Sequence, residues 1–178
     1  ISVFFDVGVT PDAADPATDW TFYLDDIQQY AATPIENFEG AVAWGDFGGA
    51  VYTVIANPDA TGINTSASVT QASRVGDTTN FGASTLTLGV PIDYAAGKVF
   101  TMKVWASRQV EVNFKLEDGS GATIERRVNH SGSSAWEELV FDFSAENPAT
   151  TSAISVFFDV GVTPDAADPA TDWTFYLD

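Results

Sequence analysis

ISVFFDVGVTPDAADPATDWTFYLD spans Ile1–Asp25, and the same 25 residues recur without a change at Ile154–Asp178. The copies start at positions 1 and 154, which are 153 residues apart, so the repeating unit is a module of about that length. Identity over such a stretch predicts a tandem array of near-identical modules, of which this chain holds one module and a second copy of its tail. A deliberate permutation would give the same pattern.

Each copy of the tail has the pattern of a strand, a loop and a second strand. Apolar residues occupy every second position of 1–7 and again of 20–24, which is the period of a β-strand. The loop between them, Gly8–Asp19, is rich in Asp, Ala and Pro. A module has room for one such pair, so the other copy would present unpaired edges and large apolar side chains. We therefore predict that one copy completes a neighbouring module, by domain swap or by head-to-tail strand donation.

The rest of the chain is patterned for strands and has almost no helical periodicity. Gly, Pro, Asn, Asp, Ser and Thr cluster between short apolar runs. About ten short strands at this spacing predict an all-β fold, a jelly-roll β-sandwich of two antiparallel sheets. The predicted strands are Ile35–Glu39, Ala50–Ala56, Ser66–Arg74, Ser84–Leu88, Val99–Ser107, Val110–Glu117, Thr123–Asn129, Trp136–Phe143, Ile154–Val160 and Trp173–Asp178.

Three segments are predicted along the chain. Residues 1–25 are the duplicated tail strands, residues 26–33 are a linker that ends at the turn signal Thr33-Pro34, and residues 34–178 form the sandwich. The linker is short, so neighbouring modules are expected to lie close together.

The composition is strongly acidic, with 25 Asp and Glu against 7 Lys and Arg and a net charge of −18. This charge argues against a nucleic-acid partner, which requires a basic surface. It suits neutral partners or hard cations bound through oxygen, and equally a merely soluble surface. No apolar run reaches the length of a membrane span, so membrane insertion is not expected. Cysteine is absent, which excludes disulfides, thiolate catalysis and thiolate metal sites.

Signatures of catalysis are weak, and we predict a protein that is not an enzyme. The one histidine, His130, lies in a turn-like tract where a solvent-facing side chain is expected. Glu137 and Glu138 are adjacent, so on a strand they point to opposite faces and cannot act together as a glycosidase pair. Residues 119–121, Gly-Ser-Gly, read as a hairpin turn rather than a phosphate-binding loop.

Several short motifs follow one another along the module. They are Phe38-Glu39-Gly40, Asp46-Phe47-Gly48-Gly49, Asn57-Pro58, Gly62-Ile63-Asn64-Thr65-Ser66, Lys115-Leu116-Glu117, Ala135-Trp136-Glu137-Glu138-Leu139, Phe141-Asp142-Phe143, Phe157-Phe158-Asp159 and Phe175-Tyr176-Leu177-Asp178. Their order and spacing, over Glu36 to Asp178, resemble the carbohydrate-binding modules of the family 4/9-like jelly-roll group, which occur beside bacterial β-1,3-glucanases. Membership would imply secretion, a structural calcium ion and glycan binding without catalysis.

The resemblance implies a structural Ca²⁺ where the first and last strands of the module meet. It places Glu39 and Asp178 at the ion, with Asp25 as the equivalent of Asp178 in the other tail copy. A backbone carbonyl of the Gly48-Gly49 loop, at Gly49, would be a further ligand. Carboxylates and carbonyls are the ligands that Ca²⁺ prefers. The alternative is that these are solvated loop carboxylates.

The outward positions of the predicted strands suggest a sugar-binding face. Trp105 and Trp136 fall on the polar faces of their strands, and so do Asn113 and Lys115. An indole stacks on the C–H face of a pyranose, while amide and charged groups bond its hydroxyls. The alternative is that both tryptophans are covered by a loop or by a neighbouring module. Trp44, predicted in a Gly-flanked loop between strands, is either a further glycan contact or a plug over the edge of the sandwich.

The sequence thus favours a non-catalytic module of carbohydrate-binding type, repeated in a secreted or surface protein of a bacterium. Its expected partner is a neutral polysaccharide such as β-1,3-glucan, bound weakly by each module and with avidity by an array. The alternative function is structural: an extender in an adhesin, or the subunit of a filament, whose copies assemble by strand exchange between repeats.

Overall fold

The computed structural model describes residues 34–76, 78–119 and 124–178. The chain divides into two compact units at Thr33 and Pro34. The first copy of the tail and the predicted linker lie outside the described residues. The second unit, Pro34–Asp178, is described below.

Ten strands are described, and they form two antiparallel five-stranded sheets. Sheet A has the order β1-β4-β9-β6-β7, and sheet B has the order β2-β3-β10-β5-β8. The prediction of an all-β sandwich of two antiparallel sheets is confirmed. The strands are β1 (Trp44–Phe47), β2 (Val51–Ala56), β3 (Ser68–Ser73), β4 (Ala83–Thr87), β5 (Val99–Trp105), β6 (Val110–Glu117), β7 (Ile124–His130), β8 (Trp136–Asp142), β9 (Ala153–Phe158) and β10 (Thr174–Leu177).

The core between the sheets follows from the alternation of apolar residues. Every second residue of β6, from Val110 to Leu116, is buried in the core and faces sheet B. Stacked aromatic rings join the two layers: Phe114 lies 5.0 Å from Phe141, and Phe158 lies 4.4 Å from Phe175, between ring centroids. Such stacking adds to the free energy gained from burying the rings.

The C-terminal copy of the tail occupies the centre of both sheets. β9 pairs with β4 on one side and with β6 on the other, and β10 pairs with β3 and with β5. A short 3-10 helix, Ala170–Trp173, leads into β10. The 25 repeated residues therefore supply one central strand to each layer of the sandwich.

Two predictions near the start of the module are wrong. Trp44–Phe47, predicted as a loop, is strand β1 and pairs with β4. The stretch Ile35–Glu39, predicted as a strand, contains no described strand. There the Glu36 carboxylate accepts hydrogen bonds from the backbone of Asn37 and Phe38, and Phe38 has a φ of 52°. A left-handed φ and local side-chain caps are incompatible with a β-ladder.

The one helix among the described residues is the four-residue 3-10 helix, and none of them forms a helix long and apolar enough to cross a membrane.

Candidate functional site

The outer face of sheet A has a buried polar floor. Asn113 on β6 and Ser155 on β9 point away from the core, yet they are only 2% and 1% exposed. No described strand lies over this face. Outward side chains lose this much exposure when longer side chains of neighbouring residues surround them, and we interpret this shielding as the floor of a candidate cleft. We call it the sheet A trough, formed by the outward residues of β1, β4, β9, β6 and β7.

Hydrogen bonds run across the trough from β4 to β6. The hydroxyls of Thr85 and Ser155 lie 2.7 Å apart, and Ser155 donates to the Glu117 carboxylate at 2.7 Å. Lys115 Nζ lies 2.9 Å from both oxygens of Glu117. The Lys115 and Glu117 side chains keep 26% and 33% exposure, so they remain accessible from solvent. This part of the trough offers donors and acceptors that are held in place by their neighbours.

A second cluster lies toward β7. Asn113 donates to Glu125 at 3.0 Å, and Arg127 pairs with Glu125 at 2.9 Å and with Glu111 at 3.2 Å. Burial disfavours the Glu125 carboxylate, but the hydrogen bonds from Asn113 and Arg127 outweigh it and hold the pKa of Glu125 below its ordinary value. Asn113 therefore lies at the bottom of the trough, and the exposed Arg127 and the partly exposed Glu111 lie at its rim.

Two phenylalanines lie at the other side of the trough. Phe47 on β1 and Phe157 on β9 face outward and meet edge to face at 5.7 Å between ring centroids. Both are half-buried. Sequence reasoning did not select them, although each is an aromatic residue at an outward position, and this is the signal that could have found them.

This arrangement suits a polyhydroxylated chain. Half-exposed rings can pack against the C–H face of a sugar, and the charged and amide groups can exchange hydrogen bonds with hydroxyls. Both cations of the trough are paired with its carboxylates, and with three carboxylates against two cations it presents donors and acceptors with a slight excess of negative charge.

The predicted tryptophans are not in the trough. Trp105 on β5 and Trp136 on β8 are register partners on the outer face of sheet B, on the other side of the sandwich from Asn113 and Lys115. The prediction of one face that carries all four residues is wrong. β5 and β6 follow each other in sequence but lie in different sheets, and alternation along a strand does not reveal which sheet the strand joins.

The two tryptophans also differ from each other. Trp136 is 7% exposed, and its Nε1 donates to the carbonyl of Asp59 at 2.7 Å, so the loop that holds Asp59 covers it. Trp105 stands edge to face with Tyr176 at 5.5 Å. Together with Ser107 and Thr171 they line a shallow pocket of about 330 Å³. A loop cover was the alternative interpretation for both tryptophans, and it holds for Trp136.

Trp44 belongs to the core side of β1. Its Nε1 donates to Thr70 Oγ1 at 3.1 Å, and its ring packs against Phe38 and Tyr52 at centroid distances of 6.0 and 5.2 Å. Tyr52 is itself buried, which raises its pKa, and its hydroxyl donates to the Val156 carbonyl. This packing favours the interpretation of Trp44 as a plug over the edge of the sandwich, and its role as a glycan contact stays a prediction.

Two of the predicted calcium ligands meet on one short segment. The Glu39 carboxylate accepts hydrogen bonds from the backbone N–H of Ala67 and of Ser68, at 2.9 and 3.3 Å. The carboxylate of Asp178 accepts from Ser66 Oγ at 3.1 Å and from Lys103 Nζ at 2.8 Å. The first and last segments of the module therefore approach each other here, as the resemblance implies.

The other predicted ligands are not brought to this place. Gly49 precedes β2 at the end where Val51 pairs with Ser73, whereas Ser68 pairs with Ala56 at the opposite end, roughly 17 Å along the strand. Asp25 lies outside the described residues. No three acidic or histidine side chains of the described residues cluster closely enough to hold a metal ion. The donor chemistry of Glu39 and Asp178 fits Ca²⁺, but backbone carbonyls would have to complete the six to eight oxygens it requires. The calcium site stays a prediction.

The fold is that of a jelly-roll β-sandwich, and solved structures with the same fold are carbohydrate-binding modules. The family 11 module of Clostridium thermocellum in complex with a β-1,3-1,4-mixed-linked tetrasaccharide has a TM-score of 0.52 and 13% identity, over 80% of this chain and 89% of that one. The family 11 module of a cellulosomal cellulase of Clostridium thermocellum has a TM-score of 0.52 and 14% identity, over 85% of this chain and 93% of that one.

An enzyme also contains the fold as one part. An arabinose-bound α-L-arabinofuranosidase of family GH51 has a TM-score of 0.51 and 16% identity, but the match covers 76% of this chain and only 22% of the enzyme. No protein-family model and no curated protein matches the chain. At these identities the likeness shows the fold that family 11 modules adopt, and it does not extend to the family 4/9-like group in particular.

Proposed function

We propose that the module binds a neutral polysaccharide in the sheet A trough and does not catalyse its cleavage. The observation that carries the proposal is the buried polar floor at Asn113 and Ser155, because outward residues are shielded in this way at the bottom of a cleft. The partly exposed Lys115 and Glu117 and the exposed Arg127 would exchange hydrogen bonds with the sugar hydroxyls. The rings of Phe47 and Phe157 would pack against the apolar face of a sugar.

The proposed ligand class is a β-glucan. Its support is indirect: one structure of the same fold holds a β-1,3-1,4-mixed-linked tetrasaccharide, and the paired charges of the trough favour an uncharged ligand over an acidic one. A mixed-linkage β-glucan and a β-1,3-glucan are therefore the first probes. A polymer outside the cell is the natural target of such a site, which fits the predicted secretion or surface display by a bacterium.

Neither Glu125 in the trough nor the buried His130 is suited to glycoside hydrolysis. A general acid must hold a proton near neutral pH, so its pKa must be raised. The pKa of Glu125 is lowered instead, which keeps this carboxylate ionised. His130 is fully buried, with Nδ1 accepting from the backbone N–H of Gly132 at 2.9 Å and Nε2 at 3.1 Å from the Ala135 carbonyl. Both ring nitrogens of His130 therefore make contacts within the fold.

Affinity electrophoresis through gels that contain polysaccharide tests the proposal with a matched pair of variants. Lys115→Ala removes a charged donor from the trough, and we expect affinity to fall by about tenfold or more. Trp105→Ala removes the largest ring of the sheet B pocket and should leave binding unchanged. Equal melting temperatures for both variants would show that each is folded.

Two results would contradict the proposal. If Trp105→Ala lost retardation and Lys115→Ala kept it in full, the binding site would lie on sheet B. Absence of retardation of the unmodified chain on neutral glucans, xylans and mannans would remove the glycan-binding function.

A further inference from the structure

The C-terminal tail copy fills a defined place in the sandwich, which we call the tail berth: the gap between β4 and β6 in sheet A and the gap between β3 and β5 in sheet B. Six apolar side chains of the tail are buried in it, and each is less than 10% exposed. They are Ile154, Val156, Phe158, Trp173, Phe175 and Leu177. An empty berth would leave two sheets without their central strands, so the fold requires an occupant.

Basic side chains of the module line the berth and bind the acidic tail. Lys103 pairs with Asp178 at 2.8 Å, and Arg108 pairs with Asp159 at 2.6 Å. Arg74 is fully buried and donates to the carbonyls of Phe158 and Asp159. Three of the seven Lys and Arg residues of the chain thus contact the tail. A buried guanidinium without these acceptors would be costly, so the berth is complementary to the tail in charge as well as in shape.

Residues 1–25 carry every one of these groups. The equivalents of the six buried apolar residues and of the two paired carboxylates are Ile1, Val3, Phe5, Trp20, Phe22, Leu24, Asp6 and Asp25. Because the sequences are identical, every contact that residues 154–178 make inside the berth is available to residues 1–25 as well. Ala153, the first residue of β9, lies outside the repeat, so the two occupied states differ at this ladder position and in how the chain is connected.

The connection permits the N-terminal copy to reach the berth of its own module. Glu39, near the start of the module, and Asp178, at its end, both contact the three residues Ser66–Ser68. In the exchanged state Asp25 would take the place of Asp178. The 14 residues from Asp25 to Glu39 can span up to about 46 Å. This is far more than the distance from Glu39 to the position of Asp178, because both residues contact the same three-residue segment. A tethered copy also has an effective concentration of about millimolar, which exceeds that of other molecules in dilute solution.

We propose that residues 1–25 and 154–178 compete for the tail berth within one chain. The protein then has two folded states: one in which residues 34–178 form the sandwich, and one in which residues 1–153 form it as a circular permutant. In each state the other tail copy lies outside the sandwich. At high protein concentration a tail copy of one molecule would fill the berth of another, which is the strand exchange expected from the sequence.

Disulfide trapping tests the competition directly, because the chain has no cysteine of its own. Thr85 and Ser155 are register partners with hydroxyls 2.7 Å apart, a geometry that accepts a disulfide. In a glutathione redox buffer, the full chain carrying Thr85→Cys and Ser155→Cys should form an intramolecular disulfide. The full chain carrying Thr85→Cys and Ser2→Cys should do so to a similar extent, within about threefold.

The control pairs Ser2→Cys with Thr101→Cys, an exposed position on sheet B. A free N-terminal copy would reach either cysteine by random collision, so equal yields for Thr85→Cys and Thr101→Cys would overturn the proposal. Disulfide-linked dimers of the Thr85→Cys and Ser2→Cys chain, without the intramolecular product, would also overturn it, because the copy would then fill the berth of another molecule.

Thermal melting supplies a second test that needs no crosslink. Phe175 is buried against Phe158, and Phe22 is its equivalent. If either copy can fill the berth, Phe175→Ala alone should lower the Tm of the full chain by no more than about 2 °C, and so should Phe22→Ala. The double variant should lower it by about 10 °C, the loss expected for a phenylalanine removed from a core. A Phe175→Ala variant that melts as low as the double variant would overturn the proposal.

Discussion

At the scale of residues, Arg74 shows how a charged side chain is accommodated in a fully buried position just after β3. Its guanidinium donates to four backbone carbonyls, those of Thr79, Phe158, Asp159 and Val162. Burial lowers its pKa, and the carbonyl acceptors are what makes its charge tolerable there. The guanidinium is planar and has five N–H donors, so it can bond to carbonyls of two chain segments at the same time.

Replacement of Arg74 by lysine should therefore destabilise the fold although the charge is kept. Lysine has three donors on a single atom and cannot reach carbonyls on both segments. We expect the free energy of unfolding to fall by about 3 kcal/mol, measured by urea denaturation. A loss below about 0.5 kcal/mol, within the range of an ordinary surface substitution, would show that the hydrogen bonds do not contribute to stability.

His130 illustrates what a local sequence cannot reveal. Its tract of polar and glycine residues predicts a solvent-facing turn, but the side chain is fully buried. The turn folds back on β6: at Gly132, with a φ of 83°, a Cβ would lie 2.2 Å from the backbone nitrogen of Gln109. A close approach between distant segments decides the burial, and composition does not encode it.

At the scale of elements, period-two patterning located most strands and their faces. It gave β2 to β10 to within two residues at either end, because apolar residues alternate along most of these strands. It missed β1, since four residues that contain a glycine give too little alternation. It also placed Trp105 with Asn113, because the assignment of strands to sheets depends on pairing between distant segments. Of the candidate site, the sequence selected Asn113 and Lys115, and it did not select Ser155 of the floor, the two phenylalanines or the charged residues of the rim.

The β7–β8 turn should respond to pH through Glu137. Burial opposes the charge of this carboxylate, but hydrogen bonds from Ser131 and Ser133 outweigh it and hold its pKa below the ordinary value. A lowered pKa in the folded state stabilises the protein above the unfolded pKa, and this contribution is lost as the pH falls through the folded value. Glu137→Gln should therefore be less stable than the unmodified chain at pH 7, and the difference should become smaller at about pH 3, below the ordinary pKa of a glutamate.

Urea titrations of both proteins at the two pH values measure this difference. Glu138→Gln, an exposed neighbour on the same strand, is the matched control and should show no such dependence. A stability difference for Glu137→Gln that persists unchanged at the lower pH would contradict the prediction.

The meeting of the first and last segments makes the calcium prediction testable. If Glu39 and Asp178 hold Ca²⁺, the ion would join the segment before β1 to the end of β10, and millimolar Ca²⁺ should raise the Tm by several degrees. Glu39→Gln should abolish the increase. An unmodified chain whose Tm is the same in Ca²⁺ and in chelator would show that the hydrogen bonds of Glu39 and Asp178 to residues 66–68 join these segments without an ion.

At the scale of the whole molecule, the duplicated tail connects fold and function. The same 25 residues supply the centre of both sheets and part of the sheet A trough, through Ser155 and Phe157. The trough exists only in a module whose berth is filled, so a glycan that binds it would stabilise the filled state. Because both tail copies carry the serine and the phenylalanine, the site is complete with either one.

The most direct test of the proposed trough is a titration of the full chain with a mixed-linkage β-glucan tetrasaccharide, followed by backbone amide shifts in NMR spectra. Shifts that concentrate on β6, β7 and β9, at Lys115, Arg127 and Phe157, are the predicted result. Shifts confined to β5 and β10, around Trp105 and Tyr176, would contradict it and place the ligand on the opposite face of the sandwich.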